Sequence, residues 1–311
     1  MDNVSLSNTT VKICNMREAS FLLPVCTILA IVTLVTLCGN VLVIISIAYF
    51  RQLHTLTNYL VLSLAVSDLL IGIMVLPFVI FLFVTPCSPL HDVLCRVRGF
   101  FDMLLCLASI LNLFCICIER YYAVCQPLSY QTKINSRIIL GMIFMVWSLS
   151  SVLSFVLTFG GNKSKERCAI VQILKLSVIA AVIAFHIPFV VMFTLYMKIL
   201  LVVRRQARSI HTASLSDGVS KAERRATLML AMVIGVFFIC WAPVSICATY
   251  QPFNHFSLPL KVMEIFKFLA WLNSMLNPFI YAYSHSLFRS AFRFILMGKI
   301  YTKIGPNARL Q

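Results

Sequence analysis

Carboxylates are scarce in this chain. Ten aspartates and glutamates serve 311 residues, and charged residues of both signs make up only 12%. Soluble domains carry about 25% charged residues, so this composition argues against an ordinary water-soluble enzyme. There is no Gly-rich phosphate loop, no nucleophile elbow and no paired set of catalytic carboxylates. The six histidines (His54, His91, His186, His211, His255 and His285) lack metal-ligand spacing. Twelve cysteines are too dilute for a small disulfide scaffold, and most lie in apolar runs where a thiol behaves as a small hydrophobe. The net charge of +16 does not form a basic stripe, because the bases lie between apolar stretches; no nucleic-acid partner is expected.

What the chain has in abundance is apolar sequence, 60% of the total. Crossing a ~30 Å hydrocarbon core takes about 20 apolar residues in a helix. Seven runs meet that need, near 20–48, 57–84, 98–118, 138–159, 170–203, 227–250 and 262–283. Most are too long for barrel strands and none alternates with period two, which excludes a transmembrane barrel. The fold class is therefore all-α membrane protein, a bundle of seven transmembrane helices. No internal repeat is visible, which argues against a transporter or channel built from duplicated halves. The first twenty residues show no apolar core or small-residue cleavage site, so no cleaved signal peptide is expected.

Orientation follows from the basic residues. With the amino terminus outside, sixteen of the 26 bases and three acids lie inside, against ten bases and five acids outside. The inner side then carries +13 and the outer side +5, with Asp68 and Asp102 left in the spans. The sequons at Asn3, Asn8 and Asn162 all fall on the outer side, as glycosylation requires. After the seventh span, Leu287, Phe288, Ala291, Phe292, Ile295 and Leu296 recur at helical period with Arg289 and Arg293 between them. That pattern predicts a helix lying on the inner membrane surface. Four segments result: an outer amino terminus at 1–19, the bundle at 20–285, the surface helix at 286–297 and an inner tail at 298–311.

A charge at the bilayer centre costs at least ~2.5–3.5 kcal/mol, so each buried carboxylate calls for a partner. Asp68 shares its depth with Asn40, Ser109, Asn273, Ser274 and Asn277. Such a set suits a sodium ion or water cluster, and equally a hydrogen-bonded knot without an ion. Asp102 lies about five turns outward of Arg120 on one helix, with no base expected nearby in that helix. It reads either as a counter-ion for a cationic ligand or as half of a salt bridge to Lys267. Prolines at 77, 188, 243 and 278 each remove a backbone hydrogen bond and predict kinks or hinges. Hinges, a bare outer carboxylate and an inner Arg120 beside Glu119 describe a switch.

These landmarks resemble those of rhodopsin-like G protein-coupled receptors along essentially the whole chain: Asn40, Asp68, Arg120 within Glu119-Arg120-Tyr121, Trp147, Pro188, Pro243 and Pro278, one per span and in order. Within that family, the stretches Lys221–Ala226 and Asn273–Tyr283 look closest to trace amine-associated receptors, mostly olfactory sensors of volatile amines; histamine and serotonin receptors are the nearest rivals. The resemblance implies that Asp102 binds a ligand ammonium and that Cys95 bridges to Cys168. It implies that Trp241 senses the ligand while Ile110, Pro188 and Phe237 repack. Arg120 is then held by Glu119, with Glu223 a second candidate, until Tyr196 and Tyr281 stabilise an open inner cavity. The implied partners are a small amine, membrane lipid and a heterotrimeric G protein, stimulatory by resemblance alone, at the plasma membrane. A sodium ion at Asp68 is the one candidate inorganic ligand.

The expected pocket comprises Asp102, Met103, Cys106, Ala181, Ala184, Trp241, Val244, Ser245, Glu264, Lys267 and Trp271. Alanines stand on the fifth span where catecholamine and serotonin receptors carry hydroxyls, so the pocket has little with which to read a ring hydroxyl. Glu264, Lys267, Trp271 and Ser274 form a stripe at i, i+3, i+7 and i+10. Four readings of it stay open. Glu264 takes a second ammonium; Glu264 pairs with Lys267; Lys267 pairs with Asp102 and repels amines; or both snorkel to the outer surface.

Overall fold

The computed structural model describes residues 19–85, 91–159, 182–210, 217–250 and 260–298. Asn3, Asn8, Asn162, Cys168 and Ala181 lie outside them, as do the side chains of Ala184 and Glu223. The helices are α1 (Ala19–Tyr49), α2 (Leu56–Leu70), α3 (Leu76–Val84), α4 (His91–Cys125), α5 (Pro127–Lys133), α6 (Ser136–Phe159), α7 (Ile187–Ile210), α8 (Asp217–Tyr250), α9 (Leu260–Ser284) and α10 (Ser286–Leu296). Helices α2 and α3 form one span joined by a wide π turn, Ile71–Val75. Another π turn, Val182–His186, leads into α7.

Among the described residues, five spans are long and apolar enough to cross a membrane by themselves: Leu23–Tyr49, Leu56–Val84, Val93–Cys125, Ser136–Phe159 and Ile187–Arg205. In α8 the apolar stretch Ala231–Cys247 is shorter. In α9 the first turns carry Lys261, Glu264 and Lys267, and the helix packs closely on α8. Helix α4 runs through the middle of the bundle, touching α2, α6, α7 and α8, while α1 closes the ring against α9.

The surface is inverted relative to a soluble protein. On α6, Val146, Ser150 and Ser154 are buried while Phe144, Val152 and Phe155 are exposed. Lipid is as good a solvent for phenylalanine as a protein core, so the small polar side chains turn inward to pack. Hydroxyls donate back to their own helices, Thr33 to the Leu29 carbonyl and Thr36 to that of Val32, both at 2.7 Å. With no water at that depth, the helix itself is the available acceptor.

The predicted kinks divide into two kinds. Pro77 and Pro188 each follow a π turn, whose wider winding relieves the clash between the ring and the preceding turn. Pro243 and Pro278 sit inside continuous α-helices, and Pro24 does the same near the start of α1. Gly39 is needed where α1 meets α9, since a Cβ there would lie 2.9 Å from Pro278 Cγ. The surface helix ends one residue earlier than its periodicity suggested. Phe288 and Ala291 face the bundle and Arg289 and Arg293 stay exposed.

Candidate functional site

The outer end of the bundle is organised around Asp102 on α4. Its Oδ1 accepts the indole N–H of Trp271 on α9 at 2.8 Å and a thiol contact from Cys106 at 3.6 Å. Trp271 is 5% exposed and packs with Val32, Ile71, Val75, Leu76 and Leu105, so its donor is held in place by an apolar wall. Sequence reasoning placed both residues in the pocket without foreseeing this bond. Met103 is half-buried and Cys106 buried. Below them Trp241 lies between Phe185 and Phe237, with ring centroids 5.5 and 6.1 Å away, and its buried indole N–H has no partner among the described residues. Phe237 and Ile110 are fully buried beside it, and Pro188 is buried on α7. Val244 is half-buried; Ser245 is buried and donates to the Ala242 carbonyl of its own helix at 3.0 Å.

The stripe on α9 grades with depth: Glu264 exposed, Lys267 half-buried, Trp271 and Ser274 buried. Among the described residues Lys267 forms no ion pair with Asp102 or Glu264. One expectation needs correction. Asp102 was expected to have no base nearby on its own helix, but Arg98 stands one turn outward of it on α4. The helix also runs two polar turns beyond the apolar stretch, beginning at His91. Cys95, in those turns, is buried and disulfide-bonded.

In the middle of the bundle Asp68 is fully buried. It accepts from Asn277 at 2.7 Å and from Ser109 at 3.5 Å, with Ser274 within hydrogen-bonding reach. Asn40 ties α1 to α9 by donating to the Ser274 carbonyl at 3.1 Å. The amide oxygens of Asn40, Asn273 and Asn277 are buried without partners among the described residues. A carboxylate among unsatisfied oxygens has the donor chemistry of a sodium site or an ordered water cluster.

At the inner end Glu119 is fully buried and gathers four donor groups. Arg120 Nε and a terminal nitrogen reach it at 2.7 and 2.8 Å, the Thr57 hydroxyl at 3.0 Å and the Tyr130 hydroxyl at 2.7 Å. Arg120 also donates to Thr57. Thr57 and Tyr130 were missed in the sequence, where isolated hydroxyls beside loops carry no periodic signal. Burial and then the bond to Glu119 push the Tyr130 phenol up to about 12, so it stays a protonated donor at neutral pH. Burial, then the Arg120 charge, lowers the pKa of His285 below 6.5 and favours its neutral form. Tyr281 is buried and stacks on Phe288 at 5.6 Å, whereas Tyr196 is half-buried on α7.

Residues 39–281 match the family model described as 7 transmembrane receptor (rhodopsin family). The chain is 36% identical to trace amine-associated receptor 1 of Macaca mulatta over 91% of its own length and 90% of that receptor. It is 35% identical to trace amine-associated receptor 4 of Mus musculus, covering 94% and 92%. It is 34% identical to trace amine-associated receptor 5 of the same species, covering 90% and 87%.

Proposed function

The chain belongs to the rhodopsin family of seven-transmembrane, G protein-coupled receptors, and from that premise we propose that it senses a small cationic amine through Asp102. A protein of this family is a multi-pass membrane receptor with a ligand and a G protein as partners, and it is not an enzyme. The observation that carries the amine reading is the Asp102 carboxylate. It is oriented by a neutral indole donor at 2.8 Å and carries no ion pair among the described residues. A carboxylate in an apolar wall gains most from a cation that brings its own hydrogen-bond donors, which an ammonium does. The relatives' names, trace amine-associated receptors, point the same way. Exposure of Glu264 favours one acid in the pocket, and so a monoamine over a diamine.

Binding at Asp102 would press on Trp241 and, through Phe237, Ile110 and Pro188, on the hinge of α8. The inner response would free Arg120 from Glu119, with Tyr196 and Tyr281 closing on the opened cavity. An agonist shifts that equilibrium only by its differential affinity for the two states. The resemblance supports a stimulatory G protein, a cAMP rise and the plasma membrane as the site of action. The remaining parts of the reading are a Cys95–Cys168 disulfide, glycans at Asn3, Asn8 and Asn162, a second hold on Arg120 by Glu223, and a sodium ion held by Asp68, Ser109, Asn273 and Asn277. The reading also counts Ala181 and Ala184 among the ligand-binding residues.

A cAMP reporter screen of mono-, di- and polyamines on wild type and Asp102→Ala tests the central claim. The expected result is activation by monoamines, with potency lost at least 100-fold in the variant despite normal surface expression. An uncharged compound acting as the strongest agonist, or equal amine potency in Asp102→Ala, would overturn it.

A further inference from the structure

Two bases stand outward of the pocket carboxylate, and among the described residues neither forms an ion pair. Arg98 lies four residues before Asp102 on α4, so its side chain leaves the same helix face about 6 Å further out. Its Nε is buried and has no hydrogen-bond partner among the described residues, while Arg96, on the opposite side of the helix, is exposed. Lys267 lies four residues before Trp271 on α9, again about 6 Å outward of the indole that binds Asp102. It is half-buried and forms no ion pair with Asp102 or Glu264 among the described residues. Glu264, nearer the outer end of α9, is exposed.

Among the described residues, one cation on α4 and one on α9 thus lie a helical turn outward of Asp102 and of the indole that binds it. A plain alkylamine satisfies the anion and adds its own charge beneath two others. An arginine keeps its charge at any accessible pH, so a partly buried guanidinium with an unfilled donor calls for an acceptor. The complementary ligand carries an ammonium at one end and an anionic group pointing outward.

We propose that the preferred ligand class is an amphoteric amine, an amine that also bears a carboxylate, whose ammonium meets Asp102 and whose carboxylate meets Arg98 and Lys267. This rests on the assignment of Asp102 as the ammonium site and narrows it. A charge-assisted hydrogen bond to a fork-shaped guanidinium is the strongest polar contact the pocket mouth offers, so Arg98 carries most of the discrimination and Lys267 adds a point charge.

The test compares matched pairs on the full-length receptor in membranes, read as agonist-driven guanine-nucleotide exchange on a panel of G proteins. Suitable pairs are n-butylamine with 4-aminobutyrate and 2-phenylethylamine with phenylalanine. The carboxylate-bearing member should be at least tenfold more potent in one pair or both. Arg98→Gln and Lys267→Gln should each shrink that potency ratio, and Arg98→Lys should restore part of it; surface labelling confirms that each variant reaches the membrane. Asp102→Asn should silence both members of a pair. Plain amines at least as potent as their acids, or a ratio unchanged in Arg98→Gln, would overturn the proposal while leaving the amine site intact. Failure of both members on wild type, with Asp102→Asn indistinguishable from it, would overturn the amine site and this inference with it.

Discussion

Trp271 decides how the pocket carboxylate is presented. Its indole N–H reaches Asp102 from 169 residues away in sequence, and the ring is locked by the apolar wall around it. A neutral donor orients Asp102 without cancelling its charge, which leaves the full charge for a ligand. Trp271→Phe keeps most of the packing and removes the donor. Since a hydrogen bond to a charged group contributes ~1.5–3 kcal/mol, amine potency should fall about tenfold or more, with Trp271→Tyr less affected. Dose–response curves for wild type and both variants check this, and an unchanged Trp271→Phe would show that the bond does not position the carboxylate. The bond was not legible in the sequence, because a pair so far apart has no local signature. Arg98, four residues before Asp102 within the same run, was open to a reading of helical spacing.

Between elements, packing depends on a few small residues. The Gly39–Pro278 contact brings α1 against α9 where Asn40 also bridges them, so a methyl at Gly39 would meet a rigid proline ring at 2.9 Å. Gly39→Ala should therefore force the helices apart and destabilise the receptor by about 1–3 kcal/mol, as overpacking does. A lower thermal midpoint in detergent, with reduced surface expression, is the expected outcome; an unchanged midpoint would mean that α1 can shift freely. By contrast, a Cβ at Gly141 or Gly235 meets nothing within 4 Å. Which glycine matters depends on what stands opposite, and that is a property of the assembled bundle.

At the scale of the whole molecule, Asp102 lies towards one end of the bundle and the Glu119–Arg120 ion pair towards the other, and the proposed function requires the two to be coupled. Glu119 holds Arg120 together with Thr57 and Tyr130, so elements at the inner ends of α2 and α4 and the α5 turn share one knot. Glu119→Gln keeps the shape and removes the charge. Loss of one such interaction shifts a two-state balance by about tenfold or more, so agonist-independent nucleotide exchange should rise several-fold. Tyr130→Phe should move the same way by less. Basal exchange equal to wild type in Glu119→Gln would remove this knot from the resting restraint.

Composition and periodicity alone determined the seven spans and the surface helix α10, and they set the expected orientation. These follow from how many apolar residues a bilayer needs, where bases stop translocation and how often a helix returns to one face, all of which are local along the chain. Tertiary structure decided which polar groups meet: Trp271 with Asp102, Asn277 with Asp68, and Tyr130 and Thr57 with Glu119. The reason is physical. In a medium without water a buried donor that is satisfied finds its acceptor on whatever helix lies beside it, and neighbours in a bundle are set by packing, not by order in the chain.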